Sequence, residues 1–142
     1  MASVHDVAAY VLDNQGPMTA MKLEKLVYYC QAWSLVWDEA PLFPERIEAW
    51  AAGPVVPALY YQHRGLFQVA KWPNGNPTAL TEKQRETIDA VLRYYGNKSS
   101  QWLSDLTHSE HPWLNARAGL AALERGNREI APASMAEYYS SL

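Results

Sequence analysis

Met21-Lys-Leu-Glu-Lys-Leu-Val-Tyr-Tyr-Cys-Gln-Ala-Trp-Ser-Leu-Val-Trp37 is the stretch whose reading decides the fold. Leu23, Leu26, Cys30, Trp33 and Trp37 recur at steps of three and four, which places them on one helical stripe. Val27, Tyr29, Ala32, Leu35 and Val36 fill much of the remaining circumference, and no residue from Leu26 to Trp37 is charged. A helix apolar nearly all round is buried on most sides. The uncharged run falls short of the ~20 apolar residues that cross a bilayer. The reading is therefore a central buried helix over about 20–37, capped by Thr19 and stopped where Pro41 biases the preceding residue away from helix. Lys22, Glu24 and Lys25 read as a solvated face at its start.

The surroundings fit one helical domain over 1–142. Forty-nine per cent apolar residues with six Trp and nine Tyr argue for a packed core and against disorder. The net charge of −3 is spread along the chain, and no Lys/Arg run gives a nucleic-acid footprint. Cys30, the one cysteine, lies on the buried stripe and reads as a packed thiol. The amino terminus lacks the basic-then-apolar pattern of a signal peptide, so a cytoplasmic protein with no membrane partner is expected.

Working outward, Val4, Val7, Ala8, Val11 and Leu12 mark one face of a first helix, capped by Ser3 and closed at Gly16-Pro17. Pro41-Leu-Phe-Pro44 reads as a turn tucked onto the core. A small β element is expected near 46–56, with Ile47 and Trp50 facing inward. Pro57 opens a short helix over 58–64 that Gly65 stops. His63 and Arg64 then sit at a solvated helix end. Asn74-Gly75 predicts either a hairpin or an exposed loop. Thr81-Glu-Lys-Gln84 is a capping box opening a helix with Ile88, Val91, Leu92 and Tyr95 on its apolar face. Ser99 or Ser100 caps a short helix through Leu103 and Leu106. His108-Ser-Glu-His111 breaks the chain, with His108 or Ser109 satisfying the backbone of a helix that runs from Pro112 through Trp113, Leu114, Leu120 and Leu123 to Gly126. A last helix carries Met135, Tyr138 and Tyr139. The fold class is mainly α: a compact bundle of about six or seven helices.

Phosphate-loop, dinucleotide-binding and nucleophile-elbow motifs do not occur, and one cysteine excludes thiolate zinc frameworks. Asp105, His108, Glu110 and His111 form the one candidate metal cluster, at a spacing unlike a helical zinc pair. No catalytic residue, metal or cofactor is expected. Trp50, Tyr60, Tyr61 and Trp72 are candidates for an exposed partner-binding patch, because aromatic side chains anchor interfaces.

Lys22-Leu-x-Lys-Leu-x-Tyr-Tyr29 followed by Trp33 resembles the opening of the Panacea antitoxin domain, the GepA-like and SocA-like family of phage-associated bacterial proteins. Pro41-Leu-Phe43 and Ile47-Glu-Ala-Trp50-x-x-Gly-Pro-Val55, with Pro57 and Tyr60, resemble its most specific block. Leu106-x-His108-x-Glu110-x-Pro-Trp113 resembles the third, and Ile130 and Tyr138 fit the ending. Ala52 departs from the aromatic expected there. The resemblance implies a mostly helical antitoxin of a type II toxin–antitoxin system. It would neutralise, by direct contact, a toxin encoded by a neighbouring gene, such as a small alarmone synthetase-like enzyme. Alternatives are an adaptor delivering its toxin to a ClpXP-type protease, a DNA-binding autoregulator, and a metal-dependent enzyme using Asp105, His108 and His111. Lys22, Lys25, Trp50, Tyr60, Tyr61 and His63 are the expected toxin-binding residues. Leu23, Leu26, Trp33, Gly53, Pro54, His108 and Trp113 are the expected structural motif residues.

Overall fold

A computed structural model describes all 142 residues. It contains seven helices and two small antiparallel pairs of strands. The helices are α1 (Val4–Gln15), α2 (Ala20–Trp37), α3 (Pro57–His63), α4 (Glu82–Tyr95), α5 (Ser100–Ser109), α6 (His111–Ala116) and α7 (Pro132–Ser140). The strands are β1 (Met18–Thr19), β2 (Glu48–Trp50), β3 (Gly53–Val55) and β4 (Gln68–Val69). No helix is long and apolar enough to cross a membrane.

The central helix forms where its periodicity places it. The Thr19 hydroxyl accepts from the Lys22 amide at 3.1 Å and so caps α2. Helices α1, α4, α5 and α7 surround it. Leu23, Leu26 and Cys30 have no exposed surface, so Cys30 is a core thiol whose pKa burial pushes up. The stripe fails at its end, where Trp37 is 49% exposed and stacks on a half-buried Trp33 at 5.0 Å. Helix α4 does reach this end, the Thr87 hydroxyl donating to the Asp38 carboxylate at 2.6 Å, so Trp37 lies on the side of α2 that α4 leaves open.

Tyrosines knit α2 to its neighbours. Tyr29 stacks on Tyr95 of α4 at 4.2 Å between ring centroids. The Tyr29 hydroxyl donates to Glu110 Oε1 at 2.7 Å, and so does the Tyr139 hydroxyl of α7. Tyr28 completes the chain by donating to the Tyr139 oxygen at 3.0 Å. One buried carboxylate thus ties α2, α7 and the α5–α6 junction together. The turn after α2 is held by Gln31, whose amide oxygen accepts from Leu42 N at 2.7 Å and whose nitrogen donates to the Phe43 carbonyl at 2.9 Å. Leu42 and Phe43 are buried, as expected for a tucked turn.

The β element is a hairpin with Glu48 opposite Val55 and Trp50 opposite Gly53. Ile47 is buried and Trp50 half-buried. The 128–130 segment runs beside β2, with Ala49 N donating to the Arg128 carbonyl and Ile130 N to the Ile47 carbonyl, each at 2.8 Å. Of the two readings of Asn74-Gly75, the loop is the one observed. Gln68–Val69 pairs with Met18–Thr19 across the domain, and Gly75 lies in a loop against the His5 carbonyl, where a Cβ has no room.

The helix expected from Pro112 to Gly126 ends at Ala116. Arg117 is the reason: its buried guanidinium donates to the Ala49 and Ala121 carbonyls, each at 3.0 Å, and the chain folds around it. Leu123, beyond the helix end, is exposed, and Leu114 lies on the outer face of α6. The N-cap of α6 is Glu110 with no side-chain bond, so neither His108 nor Ser109 caps it. The Ser109 hydroxyl instead donates back to the Leu106 carbonyl at 2.8 Å.

Candidate functional site

The β2–β3 hairpin, α3 and the loop after it come together beside the first turns of α2 and one face of α5. Two concavities open there and share Ala52 and Tyr60. One, of about 510 Å³, lies between α2, α3 and α5. The other, of about 750 Å³, lies between the hairpin, α3 and residues 125–127. No three His, Cys, Asp or Glu side chains converge as a metal-holding group. Asp105 accepts from Gln101 at 2.8 Å, His108 lies 3.1 Å from the Ala51 carbonyl through Nε2, and His111 packs on the Tyr138 ring at 5.2 Å. The three residues are thus engaged separately.

Pro57 at the first turn starts α3 at no hydrogen-bond cost. The helix presents Tyr60 and Tyr61 outward from a buried Leu59. Tyr60 meets Trp50 of the hairpin edge-to-face at 4.8 Å, and Tyr61 is 64% exposed beneath the Arg64 guanidinium at 5.7 Å. Gly65, at φ +90°, turns the chain so that Leu66 and Phe67 stand at the rim of the smaller concavity, 57% and 79% exposed. Phe67 is fixed by its backbone, its carbonyl accepting from Ala20 N at 2.9 Å.

Beneath this rim lie charged groups expected to be solvated. Glu24 and Lys25 are buried, with 0% and 1% of their surface exposed, and His63 retains 2%. The solvated face and the solvated helix end are therefore corrected at these three positions. Glu24 and His63 face each other across α2 and α3, and Lys25 lies under Gly53 of β3. Glu24 Oε1 accepts from the Val56 amide at 2.9 Å, and Oε2 is 2.7 Å from His63 Nε2. Burial pushes the Glu24 carboxyl up, against the downward pull of His63 and the Val56 N–H. Lys25 Nζ is buried without a hydrogen-bond partner. Burial lowers its pKa to about 8, with the Glu24 charge opposing. Lys22, by contrast, is half-buried and donates to the Gly96 carbonyl at 2.8 Å, away from this face.

Gly53, at φ +120°, opens β3 directly over the lysine. A Cβ there would stand 2.7 Å from Lys25 Cε and 3.1 Å from Nζ, so the glycine supplies both the turn and the room for the side chain. Pro54 and Trp113 are buried beside it, and the Trp113 indole donates to the Trp50 carbonyl at 2.8 Å. His108 anchors the Ala51 carbonyl of the same turn. Leu23 and Leu26 are core and Trp33 is half-buried.

Of the six expected contact residues, Trp50, Tyr60 and Tyr61 share one face, Lys25 and His63 lie beneath it, and Lys22 lies apart. Leu66 and Phe67 line the smaller concavity without having been singled out in the sequence, whereas Arg64, read there as a solvated helix end, is exposed as expected. An apolar pair after a helix-ending glycine was the available signal.

Residues 23–114 match the family model described as antitoxin SocA-like, Panacea domain. No curated protein and no solved structure gives a match. The matched region includes most of the central helix, the hairpin, α3, α5 and the Glu110–Trp113 junction, and so most of the residues that line the two concavities. The chain belongs to the SocA-like antitoxin family and carries its Panacea domain.

Proposed function

We propose that this antitoxin-like domain neutralises a cognate toxin, encoded by a neighbouring gene, through direct contact at the face formed by the hairpin, α3 and the Arg64–Phe67 loop. The observation that carries this reading is the exposed set Tyr61, Leu66 and Phe67, standing beside half-buried Trp50 and Tyr60 over two adjoining concavities. Aromatic anchors beside pockets are where protein interfaces concentrate their binding energy. The role needs no chemistry from the chain, which acts as a binder rather than an enzyme in the cytoplasm.

The test is coexpression. The neighbouring gene is induced from a tight promoter, alone and with this chain, and colonies are counted. Rescue of growth with co-purification of an intact 1:1 or higher complex supports neutralisation by binding. Rescue that depends on ClpXP, with falling toxin levels, would replace it with proteolytic delivery. A harmless neighbour, or toxicity without rescue, would remove the reading.

A further inference from the structure

We propose that the concavity over Lys25 is a socket for a carboxylate, filled in the complex by an acidic side chain of the protein partner. The inference deepens the toxin-binding reading and rests on it for the identity of the partner.

Lys25 Nζ is a buried side-chain polar atom with no hydrogen-bond partner. Glu24, its sequence neighbour, does not pair with it. Both Glu24 oxygens are already engaged, one by the Val56 amide and the other by His63. An unpaired buried ammonium opposes folding. Groups that break local rules of this kind concentrate at functional sites. The lysine lines the concavity of about 510 Å³, and Gly53 leaves space for its head.

The lining supplies charge complementarity. It contains Lys25, His63, Arg64 and His108 and no Asp or Glu, in a chain whose net charge is −3. His63 is already occupied by Glu24, and Arg64 lies over Tyr61 at the rim. His108 is held by the Ser104 and Ala51 carbonyls, which leaves Lys25 as the unpartnered cation at the floor, with the Ser104 hydroxyl as an uncharged donor nearby. A single negative charge matches this set better than a phosphate dianion. Leu66 and Phe67 at the mouth suit the apolar residues that flank an acidic anchor on a protein surface. Insertion gives Lys25 the partner that the free domain withholds, so the interaction is stronger in the complex than its exposed equivalent.

The test has two arms. In the first, the free chain with isotope-labelled lysines is titrated with sodium acetate, sodium phosphate and sodium chloride at matched ionic strength. The Lys25 ε-methylene signal is assigned through Lys25→Met. Acetate is expected to shift it saturably, while Lys71 and Lys83 follow the chloride control. In the second, Lys25→Met is expected to weaken toxin binding at least tenfold while the free variant melts no lower than the wild type. Lys25→Arg, which keeps the charge in a bulkier head, should not restore full affinity.

No acetate shift at Lys25 would overturn the proposal. A phosphate shift saturating well below the acetate range would replace it with a small-phosphate site. Unchanged toxin affinity in Lys25→Met would remove the acidic anchor. If the neighbouring protein does not bind even the wild type, the antitoxin reading fails by itself. The acetate titration then decides whether the carboxylate site stands.

Discussion

Glu24 Oε2 and His63 Nε2 meet at 2.7 Å inside the domain, joining α2 to α3 across 39 residues of sequence. The second Glu24 oxygen holds the Val56 amide, the N-cap residue of α3. A single carboxylate therefore positions both ends of the helix that displays Tyr60 and Tyr61.

Glu24→Ala should accordingly destabilise the domain by about 3–5 kcal/mol, since it strands a buried imidazole and a buried N–H together. Glu24→Gln keeps an acceptor for the amide and should lose less. Urea unfolding of the three proteins checks this, and a loss under about 1 kcal/mol for the alanine variant would contradict the described burial.

Lys25 gives a pH signature. Burial lowers its folded pKa to about 8, below the ordinary lysine value of 10.5. Between those values the unfolded chain keeps a proton that the folded chain has released, so stability rises with pH through this window. Lys25→Met lacks the slope. It should be the more stable protein at pH 7, and its advantage should shrink by about 2 kcal/mol by pH 9.5. Parallel slopes for the two proteins would show that Lys25 is not held as a buried cation.

Exposed and half-buried members of the aromatic face should separate. Tyr61→Ala and Phe67→Ala remove exposed rings and should leave stability within about 0.5 kcal/mol of the wild type. Each should weaken toxin binding by about 1–2 kcal/mol, or roughly tenfold. Trp50→Ala also loses the Tyr60 ring contact and the 2.8 Å indole bond to Glu48, so it should lower both the melt and the affinity. Calorimetric titration beside thermal unfolding distinguishes the two patterns. Equal affinity for wild type and Phe67→Ala would move the interface elsewhere.

Glu110 should report the tyrosine network. Burial pushes its carboxyl up, only partly offset by the hydroxyls of Tyr29 and Tyr139. The folded state then holds this proton to higher pH than the unfolded state does. Stability relative to Glu110→Gln should therefore fall as pH rises above the ordinary carboxylate value of about 4.5. Urea midpoints between pH 4.5 and 7 for both proteins measure the difference. A wild type that instead gains on the variant as pH rises would show the network holding Glu110 charged more strongly than burial opposes it.

The sequence by itself determined the elements whose signals are local. Three- and four-residue apolar spacing, the Thr19 cap, the Thr81–Gln84 capping box and Pro57 set α2, α4 and α3 close to their observed limits. The Trp50-x-x-Gly53-Pro54 block marked the hairpin turn, which needs a glycine at φ +120°. Tertiary structure alone decided which charged groups went inside. Lys22, Glu24 and Lys25 look alike as a polar run. Helical geometry points neighbours about 100° apart, and only the arrival of α3 and the hairpin selects Glu24 and Lys25 for burial. It likewise halted α6 at Ala116, because Arg117 finds the Ala49 carbonyl 68 residues away. Interactions closed across such distances leave no periodic trace in the chain, so the charged floor of the site emerges only once the helices are packed.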